Sequence, residues 1–213
     1  MLVPERSLGK DRVERLHSEV MRRDTRRRRG GDHAVVGVIA DTHGLLRPEA
    51  LTALSGVDLI VHAGDIGSPA ILTELGAIAP VIAVRGNNDR EAWAAPIPEI
   101  ATTEIAGMRL YVIHNFKMLR GDPAALGVDV IISGHSHRPS VQQRSNVVLL
   151  NPGSAGPRRF SLPIAVARLH LGPAGPRVEI VELDVTPGPA PRRAGAGRRG
   201  LDVPTARGAV SRP

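Results

Sequence analysis

The strongest constraint in this 213-residue sequence is a series of short apolar runs, each followed at once by polar residues. The first run, at 34–40, reads AVVGVIA, and similar runs occupy 58–61 and 81–84. Runs of this length that are rich in β-branched residues are typical of strands buried on both faces. The segments between them, 48–54 and 69–76, have a helical character. Because strands that alternate with short helices are joined by crossover connections, this half of the chain predicts a parallel sheet.

The second half of the chain has a different pattern, with many strands and few helices. Segments 102–106 and 109–113 predict a hairpin that turns at Gly107. Further strands are predicted at 130–133, 141–143, 147–150, 164–170 and 178–183. A β-rich half that follows a parallel sheet favours a second sheet packed against the first. The sequence therefore predicts an α/β fold class.

Composition restricts the chemistry that this chain can perform. It contains no cysteine, so disulfides, thiolate metal sites and cysteine nucleophiles are excluded. Two Phe, one Tyr and one Trp are too few for a surface that binds bases by aromatic stacking. A metal ion in this protein would have to be bound by imidazole, carboxylate or amide oxygen.

The formal net charge of +7 lies in the two ends of the chain. Residues 1–33 carry ten Arg or Lys against six Asp or Glu, and 186–213 carry six against one, whereas 34–185 is slightly acidic. We interpret 1–33 as a mobile basic arm, 34–185 as the folded domain, and 186–213 as a disordered tail rich in Pro, Gly and Arg. Solvated ends explain this charge better than nucleic-acid binding does, although Arg-rich ends that bind nucleic acid are the other interpretation. The absence of a signal-like apolar segment, and of an apolar run long enough to span a membrane, predicts a cytoplasmic protein.

Polar residues able to bind a metal ion follow five of the predicted strands. The candidate donors are Asp41, His43, Asp65, Asn87, His114, His135 and His137. Ligands of open α/β sheets bind at the carboxyl ends of the strands, so these side chains are expected to meet at one edge. If the segments are extended, residues i and i+2 point the same way, which places Asp41 beside His43 and His135 beside His137. Seven donors exceed the need of one ion, and two ions that share Asp65 would use them all.

The ordered motifs resemble those of the calcineurin-like metallophosphoesterase superfamily. These motifs are D-x-H at Asp41, G-D at Gly64, G-N-x-D at Gly86, an isolated His114, and G-H-x-H at Gly134. The short domain and the sequence NPGS at 151–154 resemble its small phosphodiesterase branch, which is related to the retromer cargo-sorting subunit. The resemblance extends over about residues 35–184.

This resemblance implies a fold, a reaction and a ligand set. The implied fold is a four-layer α/β/β/α sandwich of two packed mixed sheets. The implied reaction is hydrolysis of a phosphoester, most readily a phosphodiester, in which a hydroxide bridging two metal ions attacks phosphorus. One ion would be bound by Asp41, His43 and His137, the other by Asn87, His114 and His135, and Asp65 would bridge the two. Oxygen and imidazole donors favour two divalent ions, Mn²⁺ first, with Fe or Zn²⁺ as alternatives.

Two positions depart from the family pattern on the side where substrate is expected. Relatives often have His at the position of Asn88, and Gly-His at the positions of Asn115 and Phe116. Asn88 and Asp89 are the candidate catalytic residues. Asn88 can donate a hydrogen bond but cannot act as a general acid near neutral pH. Asp89 is expected to hold its loop or to orient a ligand. We therefore expect metal binding to be retained, and diesters or esters with good leaving groups to be preferred.

Several other residues have simpler interpretations. His62 and His170 are interpreted as satisfied core histidines, with His62 supporting a metal ligand as the alternative. NPGS at 151–154 is interpreted as a turn that braces the floor of the site. Arg90, Arg138 and Arg158 could reach a substrate phosphate, but surface solvation is the better interpretation of each.

A protein with this sequence could also retain its metal ions without catalysing a reaction. In that alternative it is a non-catalytic scaffold that binds a protein partner, as the retromer relative suggests. The presence of all seven ligand types favours the enzyme, whose partner would be a small phosphoester or phosphodiester. A homo-oligomer is one alternative for the assembly of this chain.

Overall fold

The computed structural model describes residues 32–159 and 161–185. Nearly all of the predicted basic arm at 1–33 and the whole predicted tail at 186–213 lie outside the described residues, so these two predictions stay predictions. Within the described part, no helix has the length and apolar character needed to cross a membrane.

The described residues form ten strands and two short α-helices. The strands are β1 (Ala34–Ile39), β2 (Leu59–His62), β3 (Val81–Ala83), β4 (Ile100–Ile105), β5 (Met108–Ile113), β6 (Val130–Ile132), β7 (Ser140–Arg144), β8 (Val147–Asn151), β9 (Ala165–Leu171) and β10 (Arg177–Glu182). The helices are α1 (Pro48–Ala53) and α2 (Pro69–Gly76), and 3₁₀ turns occupy Ala92–Ala94, Phe116–Met118 and Pro123–Leu126. Each strand begins and ends within two residues of its predicted bounds.

The strands form two five-stranded mixed sheets. The first has the order β10-β9-β1-β2-β3, with β1, β2 and β3 parallel and β9 antiparallel to both β1 and β10. The second has the order β4-β5-β6-β8-β7, with β5, β6 and β8 parallel. The β4–β5 hairpin turns through Ala106 and Gly107, whose φ angles of 52° and 72° give the twist that a two-residue turn requires. The predicted α/β fold with two packed mixed sheets is confirmed.

The two sheets bury one core between them and another on each outer face. Alternate residues of β1 divide between these cores: Val36 and Val38 face the second sheet, whereas Ile39 faces the helices. Gly37 lies on the helix side, where a Cβ atom would come within 2.6 Å of Leu54 Cδ2, so glycine allows α1 to pack closely. The layer outside the second sheet is thinner than the resemblance implies, because 3₁₀ turns cover it through Phe116 and Leu126.

This topology carries the carboxyl ends of six parallel strands to one edge of the sandwich. β1, β2 and β3 arrive from the first sheet, and β5, β6 and β8 arrive from the second. The loops that follow these strands therefore meet across the interface between the sheets, as ligand-binding loops do in open α/β sheets.

Candidate metal centre

Five of the seven candidate ligands have a left-handed backbone. The φ angles are 54° at Asp41, 47° at His43, 54° at Asp65, 67° at His135 and 57° at His137. Non-glycine residues rarely adopt this conformation, and where several do so together the surrounding structure holds them in place. The prediction that the segments at 41–43 and 135–137 are extended, which was the basis for pairing residues i and i+2, is therefore wrong.

The loops after β1 and β2 are held together by backbone hydrogen bonds. Asp41 N donates to Gly64 O at 3.0 Å, His43 N to Asp65 O at 2.9 Å, and Gly44 N to Ile66 O at 2.8 Å. Two further loops approach so closely that only glycine fits: a Cβ on Gly86 would collide with the Asp65 carboxylate, and one on Gly134 would lie 2.9 Å from Asp41 Oδ2. These contacts fix the side chains of the edge relative to one another.

The first group of candidate ligands is Asp41, His43 and His137. His137 Nε2 lies 3.4 Å from Asp41 Oδ1 and 3.4 Å from His43 Nε2. The two imidazole rings are stacked with their centroids 5.2 Å apart. One ligand atom from each residue lies within 4.8 Å of the others, which is compatible with a single ion among them.

The second group is Asn87, His114 and His135. Asn87 Oδ1 lies 3.2 Å from His114 Nε2 and 2.9 Å from His135 Nδ1. Asp65 lies between the two groups, because its Oδ2 is 3.5 Å from His114 Nε2 and 3.8 Å from His43 Nε2. All seven predicted ligand side chains thus lie at one site, with Asp65 between the two groups.

The hydrogen bonding of His114 favours a positive charge at this site. Its Nδ1 lies 2.8 Å from Ala63 O, and because a carbonyl only accepts, Nδ1 must carry the proton. In a neutral ring Nε2 then presents a lone pair toward Asp65 Oδ2 and Asn87 Oδ1, which are themselves acceptors. Acceptors converge in this way where a proton or a cation lies between them, and a backbone carbonyl on the far nitrogen is the usual support of a metal-binding histidine. The residues therefore fit divalent cations with oxygen and imidazole ligands.

Burial and neighbouring charges shift the pKa values of these groups in different directions. Desolvation raises the pKa of Asp41 to about 7. Burial alone would raise the pKa of Asp65 as well, but hydrogen bonds from His114 and Asn88 lower it below its usual range. Burial also opposes the charged form of His114, yet the Asp65 carboxylate and the Ala63 carbonyl raise its pKa above the ordinary value. The protonation states of Asp41, Asp65 and His114 therefore depend on one another.

The other three histidines have lowered pKa values and are neutral near pH 7. Burial lowers the pKa of His43, and burial together with His114 lowers that of His135. Burial, the neighbouring His43 and the cation of Arg159 lower the pKa of His137 to about 4. Neutral imidazole is the form that binds a metal ion.

Asn88 and Asp89 both contact the groups around them, but in different ways. Asn88 donates to Asp65 twice, from its backbone N to Oδ1 at 2.9 Å and from Nδ2 to Oδ2 at 2.6 Å. The buried Asp89 carboxylate accepts three backbone N–H groups, from Gly67 at 2.9 Å, Ile66 at 3.1 Å and Gly86 at 2.8 Å. Through these bonds Asp89 holds the loops after β2 and β3 together, which was the first of its expected roles. Asn88, in contrast, is exposed.

His62 is a satisfied buried histidine that supports the same loops. Its Nδ1 accepts from Gly64 N at 3.2 Å, so Nε2 carries the proton and donates to Thr42 Oγ1 at 2.9 Å. Thr42 Oγ1 in turn donates to Ile66 O at 2.8 Å. Full burial lowers the pKa of His62 to about 3, which keeps this chain of hydrogen bonds in its neutral form. The contacts of His62 are those of a satisfied buried histidine, and the alternative, that it supports a metal ligand, stays a prediction.

The segment NPGS at 151–154 braces the site from below, as a turn in this position was expected to do. Asn151 Nδ2 donates to Gly134 O at 2.6 Å, and Asn151 Oδ1 accepts from Gly153 N at 2.9 Å. Ser154 Oγ donates to Asp41 O at 2.9 Å. His170 lies at the opposite edge of the molecule, on the strand residue paired with Val35, and contacts Glu179 at 3.4 Å.

Sequence reasoning missed Arg159 and treated the other exposed arginines as equivalent. Arg159 lowers the pKa values of Asp41, His43 and His137, so its cation acts on the first group of ligands. The neighbouring Arg158 instead donates to Leu162 O at 3.2 Å, and Arg90 donates from Nε to Asn87 O at 2.8 Å. No periodic or motif signal distinguishes Arg159 from Arg158 in the sequence.

Comparison with known proteins gives relatives that share this domain. The chain is 43% identical over 141 residues to a probable metallophosphoesterase of Methanothermobacter thermautotrophicus, which covers 61% of this chain and 81% of that protein. It is 32% identical over 142 residues to the phosphodiesterase YfcE of Escherichia coli, covering 54% of this chain and 76% of that protein. The fold also matches the crystal structure of Chaetomium thermophilum Vps29 with a TM-score of 0.58 at 21% identity, over 70% of this chain and 97% of the other.

Residues 35–172 match the model of the calcineurin-like phosphoesterase superfamily domain. This match includes every strand end that contributes to the candidate centre. The chain therefore belongs to the calcineurin-like phosphoesterase superfamily.

Proposed function

We propose that this protein is a dinuclear metal-dependent phosphodiesterase, a hydrolase of small phosphoesters. The observation that carries the proposal is the convergence of two acceptor oxygens, Asp65 Oδ2 at 3.5 Å and Asn87 Oδ1 at 3.2 Å, on His114 Nε2. In this proposal one ion is bound by Asp41, His43 and His137, the other by Asn87, His114 and His135, and Asp65 is shared. The family assignment and the name phosphodiesterase of the Escherichia coli relative support the reaction class.

The metal ions would supply an activated water near neutral pH and would neutralise charge on the phosphoryl oxygens. The protein's own residues prepare the site for that chemistry. Ala63 O fixes the tautomer of His114, and the left-handed loops orient the remaining ligands before any ion arrives. The buried Asp41 and Asp65 form the floor, whereas the exposed Asn87 and His135 form an open side through which a phosphoester can approach.

Asn88 restricts which esters react well. Its amide donates to Asp65 Oδ2, and on the open side the same amide can donate to a phosphoryl oxygen. Because an amide cannot protonate a departing alcohol, diesters and esters with good leaving groups are expected to be preferred. Replacing Asn88 with His is expected to raise turnover of alkyl phosphoesters more than that of nitrophenyl esters, and equal effects on both would contradict this role.

Metal counting and hydrolysis test the proposal together. Protein dialysed against Mn²⁺ is expected to contain two ions per chain by elemental analysis and to hydrolyse bis(4-nitrophenyl) phosphate. His135→Ala is expected to lose metal and activity, and His170→Ala, which removes a histidine at the opposite edge, is its matched control. A wild-type protein that is no more active than His135→Ala, at any Mn²⁺ concentration, would overturn the proposal.

Other expectations stay predictions at this point. They are the preference for Mn²⁺, the cytoplasmic location, a homo-oligomer, and solvated basic ends in place of nucleic-acid binding. The non-catalytic scaffold would be favoured by tight metal binding without turnover, together with capture of a stable protein partner. The likeness to Vps29 concerns the fold and does not favour that alternative.

A further inference from the structure

A cavity of about 410 Å³ opens beside the second group of candidate ligands. Asn87 belongs both to its lining and to the candidate metal centre, so the cavity adjoins the centre. Its size is within the range of about 300–1,000 Å³ that small-molecule sites occupy. A substrate whose phosphorus lies at the centre could therefore extend a second group into this cavity.

The charged residues of the cavity differ in how their charges are compensated. Arg85 Nη2 pairs with Glu99 Oε1 at 2.7 Å, and the Asp89 carboxylate is occupied by three backbone N–H groups. Arg90 forms no ion pair with any residue that the structure describes. It is the lining cation whose charge stays available.

The Arg90 side chain is also hydrogen-bonded next to the candidate metal centre. Its Nε donates to the backbone carbonyl of Asn87 at 2.8 Å, which anchors the guanidinium directly beside a candidate ligand. The N–H groups of its two terminal nitrogens have no acceptor among the described residues, and an arginine fork of this kind suits a carboxylate or a phosphate. Because none of the residues lining the cavity is aromatic, stacking of a base is not favoured there.

We propose that this cavity is a second anion subsite, in which Arg90 binds a carboxylate or phosphate that the substrate carries away from its scissile phosphoester. The inference rests on the proposed function, since it assigns a substrate class to the same site. Glu91, whose Oε2 accepts from Trp93 Nε1 at 3.1 Å, is the acid of the lining that opposes such a ligand. Replacing it with Gln keeps an acceptor for Trp93 and removes the opposing charge.

Calorimetric titration of the full-length, Mn²⁺-loaded protein tests the subsite without relying on turnover. The probes are propylphosphonate, 3-phosphonopropanoate and ethane-1,2-bisphosphonate, which differ only in a methyl, carboxylate or second phosphonate at the far end of the same two-carbon chain. We expect the two probes with a second acid group to bind about tenfold more tightly than propylphosphonate, as one charge-assisted bidentate contact would give. A preference for one of the two identifies whether the subsite is built for carboxylate or phosphate.

Variants test whether Arg90 causes the preference for probes with a second acid group. Arg90→Ala is expected to bring the ratio of the dissociation constants close to one, Arg90→Lys to give an intermediate ratio, and Glu91→Gln to raise the ratio above that of the wild type. Arg177→Ala removes an arginine at the opposite edge of the molecule and is expected to keep the wild-type ratio. An unchanged ratio in Arg90→Ala, no preference in the wild type, or no binding of any probe would each overturn the subsite.

Steady-state kinetics separate this inference from the function on which it rests. The substrates are 4-nitrophenyl phosphodiesters whose other ester group is ethyl or 2-carboxyethyl. A lower KM for the carboxyethyl ester that disappears in Arg90→Ala supports the subsite, whereas equal KM values with normal Mn²⁺-dependent turnover would overturn the subsite alone. An Arg90-dependent preference in calorimetry without hydrolysis of either ester would overturn the phosphodiesterase and leave the subsite in place.

Discussion

The two groups of candidate ligands differ in burial and in charge, although both lie at the same edge. The first includes the fully buried Asp41, has Asp65 beside it, and is held by the backbone hydrogen bonds between the loops after β1 and β2. The second includes the exposed Asn87 and His135 and contributes no carboxylate of its own; its His114 has the shared Asp65, and the first group's Asp41, within 4.8 Å. Since affinity for a hard divalent cation rises with the number of charged ligands and with the rigidity of the site, we expect the first ion to bind more tightly than the second.

The largest effect is expected from Asp65, because both groups depend on it. Asp65→Asn removes the negative charge from the shared position and is expected to abolish binding of both ions and at least about 99.9% of the hydrolysis, a loss of about 4 kcal/mol in transition-state stabilisation. Elemental analysis and the bis(4-nitrophenyl) phosphate assay measure the two losses. Asp184→Asn makes the same change at an exposed position. Loss of only one ion in Asp65→Asn would show that this carboxylate is not shared.

Asp41 tests whether the first group can be removed by itself. Asp41→Asn is expected to weaken the first ion by more than about 100-fold, since changes even to outer-shell partners of a metal cost about 10–100-fold. The second ion should remain, because Asn87, His114 and His135 keep their side chains and the new amide oxygen can still accept from His135 N, as Asp41 does at 3.0 Å, so one ion per chain is expected at moderate Mn²⁺. Retention of two ions would contradict the assignment of Asp41, and loss of both would contradict the independence of the two groups.

Much of the fold, and the side chains that meet at its edge, follow from simple patterns in the sequence. The apolar runs identify β1 and β2 because a strand buried on both faces cannot tolerate polar residues, and the carboxyl ends of parallel strands necessarily share an edge. Asp41, Asp65 and His135 are therefore placed by the position of each residue at a strand end.

The local geometry of the site does not follow from such patterns. The left-handed backbone at Asp41 and His43 depends on hydrogen bonds to the loop after β2, which has no periodic signal of its own. The role of Asp89 depends on three N–H groups from two separate loops. Arg159 acts on the first group only because a loop between Ser154 and Ile164 brings it there. Contacts between loops depend on how the strands bring the loops together, so the sequence of a single loop does not predict them.

The pH dependence of metal binding separates the two groups further. Because burial raises the pKa of Asp41 to about 7, this acid is protonated below that pH and must lose its proton before the first ion can bind. Affinity of the first ion is therefore expected to fall by up to about tenfold for each pH unit below 7 and to level off above it. Mn²⁺ titrations between pH 5.5 and 8.5 measure the slope. In Asp41→Asn the slope of the remaining ion should reflect His114 alone, and an unchanged profile would contradict the role of Asp41.

The smallest effect is expected from adding charge to the second group. Asn87→Asp gives this group a carboxylate of its own, so the second ion is expected to bind about tenfold more tightly, while the first changes little because Asp65 still separates the groups. Without metal the new carboxylate faces Asp65 through His114, so the melting temperature of the apoprotein should fall. Asn146→Asp adds the same charge in the β7–β8 turn, at the far end of the second sheet, and should change neither quantity. If Asn87→Asp tightens both ions equally, the contrast between a rigid, charged first group and an open, weaker second group is wrong, and the centre titrates as one unit.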